Sequence, residues 1–301
     1  MFIVKYKKIF ICLSLALIIV SIVFIFTFGL KPGIDFKGGA LLEVSYSGGR
    51  PEVSLIENAT KTLNLNQIII QPTGENGYLF KTRDLSQKEH EALSNSLSVN
   101  GKYPVLEKGF TSIGPSVGNE LKRKAIISII MVILAIILFI TYAFRKVSQP
   151  VASWKYGVIT IVTLLHDIII PAGIFALIAH YTGAEVDTLF VLALLTILGL
   201  SVHDKIVVFD RIRENLRDGD KKSFTETVGT STSQTIVRSI NITLTIIGVL
   251  VPLYFFGPET TKNFALILII GLFFGIYSSL FFASPLLVWI QEWQSNKKSS
   301  Q

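Results

Sequence analysis

Six stretches of this chain are apolar for roughly 18 residues or more, each long enough to cross a hydrocarbon layer of about 30 Å as a helix. They fall at 9–30, 125–144, 156–180, 187–209, 239–256 and 264–290. A segment in lipid must satisfy every backbone N–H and C=O internally, so each stretch is expected to be helical. The predicted fold class is a polytopic α-helical membrane protein with six transmembrane helices. The last stretch is long enough to need a tilt or a bend. The first follows Lys5, Lys7 and Lys8, as a secretory leader would. Its apolar run is too long for a leader, and "FTFGLKPG" offers no small-residue cleavage site, so it reads as a retained helix. The single cysteine, Cys12, lies inside it, which excludes a disulfide framework and a cysteine metal cluster.

A net charge of +7 invites a nucleic-acid reading, but the basic residues cluster at helix ends. Such flanking charge marks the cytoplasmic side of membrane helices, so no nucleic-acid partner is expected. With six spans both termini share one side, which also receives Arg145, Lys146, Lys155 and the basic loop 210–238. The opposite loops, "HYTGAEVD" and "FGPETTKN", carry one lysine between them. The expected topology is N-in and C-in, in the cytoplasmic membrane, with lipid as a constant partner. Lys122, Arg123 and Lys124 lie on the outer side, but they follow a long translocated segment, where the charge rule is weak.

That segment, residues 33–121, is too polar to span. "ALLEVSY" alternates as a strand does, "PEVSLIENATKTL" has helical spacing, and "NQIIIQPT" and "YLFKTRD" flank a turn at "ENG". "SQKEHEALSNSLS" opens on a Ser N-cap, and "GKYPVLEKGF" is extended. The order βαββαβ predicts an extracytoplasmic α+β domain of ferredoxin-like type between helices 1 and 2. It holds no phosphate loop, nucleophile constellation or metal-ligand cluster, and His90 reads as a surface residue. Binding is expected of it rather than catalysis. The division is 1–32 for the basic flank and first helix, 33–121 for this domain, and 122–301 for helices 2–6 with their cytoplasmic loop 210–238.

Charges inside spans carry most of the functional signal, since each costs about 2.5–3.5 kcal/mol at a helix centre on insertion scales. His166-Asp167 sits midway along the third span, and His203-Asp204-Lys205 lies in the inner third of the fourth. Successive residues are turned about 100° apart, so they cannot all face one point. Lys205 is long enough to snorkel to the cytoplasmic surface. Asp204 is not, and needs an internal partner. Arg238, Asn241 and Thr245, with Gln234 a turn earlier, form one polar stripe on the fifth span. Arg238 is either the partner of Asp204 or an interfacial anchor. His166-Asp167 is either helix–helix glue or part of an ion path. Neither His-Asp pair has a third ligand at i+4, so no metal is expected. Gly271 and Gly275 make a GxxxG that permits a close helix contact.

"GIDFKGG" (33–39) resembles the signature of the SecF family, membrane subunits of the bacterial protein-export machinery. "IGPSVGNEL", "HDIIIPAG", "VVFDRIREN", "RSINITLT" and "GIYSSLFFASPLL" agree in order along nearly the whole chain. The resemblance implies a half-transporter of the resistance–nodulation–division (RND) type that pairs with SecD. Together they draw on the proton-motive force, sodium in some relatives, to complete export of unfolded preprotein alongside the SecYEG channel and the SecA motor. It implies no enzyme activity and no cofactor. It implies that an aspartate of the fourth helix and an arginine of the fifth matter, which fall on Asp204 and Arg238, with His203, His166, Asp167 and Asn241 as further ion-coupling candidates. Gly33, Asp35, Phe36, Gly38 and Gly39 form the signature expected to pass motion to the outer domain. Where the family has Asn and Thr around the aspartate, this chain has His203 and Lys205. The basic N-terminal flank reads as that of a stand-alone subunit rather than half of a fusion. The alternatives are an RND-like exporter of small molecules or lipids, and a structural subunit whose polar residues act as helix glue.

Overall fold

The computed structural model describes residues 2–63, 65, 68–143, 153–217 and 223–299. Arg145, Lys146 and residues 218–222 of the basic loop lie outside the described residues, as do Asn64, Asn66 and Gln67. In chain order, a one-turn helix α1 (Phe2–Lys5) precedes α2 (Lys7–Phe28), and a second, α3 (Ile34–Lys37), leads into β1 (Gly39–Tyr46). Then come α4 (Val53–Thr60), β2 (Ile69–Thr73), β3 (Gly77–Thr82), α5 (Gln87–Leu97) and β4 (Val105–Ile113). The long helices follow: α6 (Pro115–Ala143), α7 (Ser153–Thr182), α8 (Thr188–Arg217), α9 (Phe224–Phe256) and α10 (Glu259–Tyr277). A π-helical segment, Ser278–Ala283, joins α10 to α11 (Ser284–Ser299). Among the described residues six helical stretches are long and apolar enough to cross a membrane, the last running from Glu259 to Gln294 with the π-helical segment inside it.

The helices outrun the apolar windows. Much of the stretch 210–238, expected as a loop, is helix: α8 continues to Arg217 and α9 begins at Phe224. A hydropathy window ends where side chains turn polar, whereas a helix ends where its backbone loses partners. Ser223 supplies such a start, since its hydroxyl accepts from Glu226 N and the Glu226 carboxylate accepts from Ser223 N, a capping box. Asn215 on α8 donates to Ser231 Oγ at 2.8 Å and Gln234 Oε1 at 2.9 Å on α9, and Ile212 and Val228 are fully buried.

The chain divides into two compact units. One, residues 31–126 with 185–188, contains a four-stranded antiparallel sheet in the order β2-β3-β1-β4. In β1 the alternate residues Ala40, Leu42, Val44 and Tyr46 are buried, as a strand with one covered face requires. Leu42 pairs with Phe80 of β3, and these meet Ile56 of α4 and Leu93 and Leu97 of α5 in one core. Burying each such side chain contributes about 1.5–3 kcal/mol. Helix α5 opens on a second capping box, Ser86 with Glu89. The Arg83 guanidinium first, then the Ser86 amide and hydroxyl, lower the Glu89 carboxyl from 4.5 to about 2. A folded-state value below the unfolded one means the stabilisation is present above pH 4.5 and is lost as pH falls towards about 2. Hydrogen exchange on the full chain should show the first turn of α5 loosening across that window. In Glu89→Gln that pH dependence should vanish; its persistence would place the acid sensitivity elsewhere.

The other unit is the helical bundle. Helix α2 crosses α7 closely, where a Cβ on Gly173 would lie 2.6 Å from Ser21 Cα. Helices α7, α8 and the last span are buried over about half of their most apolar stretches, while α6 is almost bare. Ile130, Met131, Leu134 and Leu138 of α6 face outward. An apolar helix face of this kind suits lipid or another membrane protein.

Candidate functional site

Helix α7 carries a buried polar line: Thr160, Thr163, His166 and Asp167 are each at most 1% exposed. The two threonine hydroxyls are satisfied by carbonyls of their own helix, Thr160 donating to Tyr156 O and Thr163 to Ile159 O. His166 and Asp167 have no such local outlet. Although adjacent on the helix, their side chains lean together, with His166 Nδ1 2.9 Å from Asp167 Oδ1. The expected divergence of the pair is therefore closed by side-chain reach.

The partner of Asp167 is Lys205. Instead of snorkelling to the surface, Lys205 is wholly buried and turned inward, its Nζ 2.6 Å from Asp167 Oδ2. Ser201, one turn earlier on the same face of α8, donates to Asp167 Oδ2 and accepts from Lys205. The ammonium's third hydrogen goes to Ser278 Oγ at 3.2 Å, at the start of the π-helical segment, and Ser278 in turn donates to Gly275 O. An ammonium has three donors and all three have acceptors here, one on each of three helical elements. Lys205 turns inward because a carboxylate at this depth offers more than the interface does, and leaving either charge alone would be costly. The signal was legible: one anion and one cation at mid-depth of neighbouring spans, with Ser201 and Lys205 at i, i+4. Ser278 was not identifiable, because a serine in a membrane helix commonly serves its own backbone.

The expected partners Asp204 and Arg238 are near enough to act on each other electrostatically, without a direct bond. Asp204 is 9% exposed, and among the described residues it forms neither a hydrogen bond nor an ion pair with Arg238. His203, Arg238, Asn241 and Thr245 lie on exposed faces. Gln234, the first member of that stripe, accepts from Arg211 Nε at 2.7 Å. So α9 presents polar groups outward at depths where lipid would disfavour them.

The "GIDFKGG" signature belongs to the sheet-bearing unit, where it acts as a clasp. Gly33 N donates to Val186 O at 2.7 Å, and Asp35 Oδ2 accepts from Thr188 N at 2.8 Å, capping the first amide of α8. Lys37 and Lys81 both reach Glu185 at 3.1 Å, and Phe36 is buried. Gly38 adopts φ 81°, and a Cβ there would meet Pro115 Cα at 2.9 Å. Gly39, at φ 140°, leaves no room beside Thr82 O. A Cβ on Gly118 would sit 2.9 Å from Gly38 N, which explains the second glycine of "IGPSVGNEL".

The bundle centre holds a buried, paired anion and cation beside a histidine. A family profile described as "Protein export membrane protein SecD/SecF, C-terminal" matches residues 95–293, and a second, "SecD/SecF GG Motif", matches residues 23–49. The chain is 41% identical over 300 residues to the protein translocase subunit SecF of Thermobaculum terrenum, covering 95% of this chain and 92% of that protein. It is 35% identical to the SecF of Anaerolinea thermophila, covering 96% of this chain and 94% of that one. Among solved structures it is similar to SecDF, a translocon-associated membrane protein from Thermus thermophilus, with a TM-score of 0.80 and 28% identity over 96% of this chain. It spans 38% of the length of that SecDF chain.

Proposed function

The chain belongs to the SecF family of protein-export membrane proteins, accessory subunits of the Sec protein translocase, and from that premise we propose how it works. It pairs with SecD in the cytoplasmic membrane, with both termini inside, and uses the proton-motive force to complete export of preprotein delivered by SecYEG and SecA. The observation that carries this reading is the charge-bearing centre buried in the bundle, since ionisable groups at such depth belong to ion paths far more often than to inert scaffolding. Asp204, buried on α8 with His203 and Arg238 on exposed faces near it, is a further ion-coupling group of that path. The polarity of the α9 stripe supports a covering protein partner, and the match to only 38% of a SecDF chain supports SecD as that partner.

The sheet-bearing unit stands outside and is of ferredoxin-like type. Its βαββαβ element order and its strand order β2-β3-β1-β4 support that reading. Its edge strands β2 and β4 suit it to take up an unfolded segment by strand addition without reading side chains.

Asp204→Asn keeps a hydrogen-bonding side chain but removes the charge. Preprotein export in cells carrying it should be slow and should no longer respond to collapse of the proton gradient. Export that keeps its full gradient response would remove Asp204 from the coupling path.

A further inference from the structure

His166 is held in a way the ion pair alone does not require. Its Nδ1 faces the Asp167 carboxylate at 2.9 Å, and that carboxylate also accepts from Lys205 and Ser201. A carboxylate in an ion pair only accepts, so Nδ1 carries the hydrogen and donates it. In the neutral ring this leaves Nε2 as a bare lone pair. Nε2 is buried and has no hydrogen-bond partner among the described residues. Around the ring stand Tyr277 of α10, stacked at 6.0 Å, and Phe282 of the π-helical segment at 5.4 Å. The titratable or charged groups facing His166 are thus Asp167 on its own helix, Lys205 on α8 and Tyr277 on α10. The Tyr277 hydroxyl accepts from the buried Ser14 of α2 at 3.3 Å. Of these groups only the imidazole has an unprotonated atom without a partner.

We propose that His166 Nε2 binds the coupling proton in this chain, and that Lys205 is the group whose hold on Asp167 the proton weakens. The inference rests on the ion-gradient reading above. A hydronium from the proton-rich side gives up its proton, an N–H bond forms at Nε2, and water leaves. With Asp167 negative and Lys205 positive the centre is neutral before this step and carries one positive charge after it. The new charge lies on a ring already hydrogen-bonded to Asp167, so the carboxylate is shared between two cations. Lys205's remaining partners, Ser201 and Ser278, are neutral hydroxyls. The tie between α7, α8 and the π-helical segment loosens, and loss of the proton to the other side restores it. Asp167 itself stays charged throughout, acting as the fixed anion of the centre.

His166→Asn tests this, because the amide nitrogen keeps a donor near the place of Nδ1 and removes the titrating atom. In the chain assembled with SecD, gradient-driven export by His166→Asn should fall to the rate seen with the gradient collapsed. Its dependence on outside pH should disappear, while gradient-independent export persists. If His166→Asn keeps both the gradient stimulation and the pH profile of the unmodified chain, the proposal fails while the translocase reading stands. If the unmodified chain shows no gradient stimulation, the coupling reading fails and takes the proposal with it. Should His166→Asn not fold, nitrogen-15 spectra of the unmodified chain with SecD in nanodiscs decide the matter. His166 should show its hydrogen on Nδ1 when neutral and gain a second one on Nε2 when the sample is acidified. A ring that stays neutral throughout, or carries its hydrogen on Nε2, overturns it.

Discussion

Lys205→Met is expected to destabilise the helical bundle by about 3 kcal/mol, the low end of the 3–5 kcal/mol range for breaking a buried pair. Methionine fills the volume of the lysine stem but leaves Asp167 charged, with only His166 and Ser201 to satisfy it. The low end applies because helices separated in a bilayer let a charge snorkel or meet water, so the reference state is less hostile than a dry interior. Ser278 loses the donor that tied it to α8 and keeps only its bond to Gly275 O. Equilibrium unfolding in mixed micelles measures the loss. Adding Asp167→Asn should recover most of it, because a neutral amide no longer needs a cation and the two residues act as one unit. Additive losses in the double variant would mean that the two charges do not stabilise each other.

Gly173→Ala should be about as damaging, near 3 kcal/mol, at the upper end of the 1–3 kcal/mol that overpacking usually costs. The added methyl would lie 2.5 Å from Ser21 Cβ and 2.6 Å from both Ser21 Cα and Ser21 O. Those are largely backbone atoms, so no rotamer change relieves the clash and α2 must back away from α7 along its length. Ser21→Gly in the same chain should restore only part of the loss, since the Cα and carbonyl remain. The two glycines of the GxxxG pair differ from each other. At Gly275 the nearest atoms are Ser201 Cβ and Oγ at 3.7 Å, ordinary contact, so Gly275→Ala should be nearly silent. At Gly271 the clash is with Ile197 Cδ1 and Cγ1, and a buried β-branched side chain on a helix is held at χ1, so Gly271→Ala should cost nearly as much as Gly173→Ala. Thermal unfolding of the three variants gives the order directly. A Gly275→Ala loss equal to that of Gly173→Ala would show that the crossing of α2 on α7 is not a close one.

Much of the architecture could be read from the chain, for identifiable reasons. Lipid forbids unsatisfied backbone, so six long apolar runs could only be helices, and period-two alternation in "ALLEVSY" could only bury Leu42 and Val44 by making a strand. Capping is equally local: the Ser86 start of α5 was visible because Ser86 and Glu89 satisfy each other's backbone within one turn. Helix length was less legible. Asp210–Arg217 and the residues after Phe224 are polar, and their helicity comes from contacts between α8 and α9, such as Asn215 with Ser231, which no window along one segment contains.

The charged centre divides in the same way. Residue type and depth alone marked His166, Asp167, Asp204, Lys205 and Arg238 as groups that a membrane would not hold without cause, and the "GIDFKGG" glycines as backbone that a side chain would disturb. Which charge meets which is a matter of rotation and crossing, and a helix sequence specifies neither. Asp204 and Lys205 are neighbours in the chain, yet their directions differ by about 100°, so the rotation of α8 decides which one can reach Asp167. The packing of α7 and the π-helical segment sends Lys205 to Asp167, while Asp204, also buried, forms no ion pair with Arg238 among the described residues. The chain determined that charges would be buried; only the crossing of its helices decided that the buried cation would be Lys205.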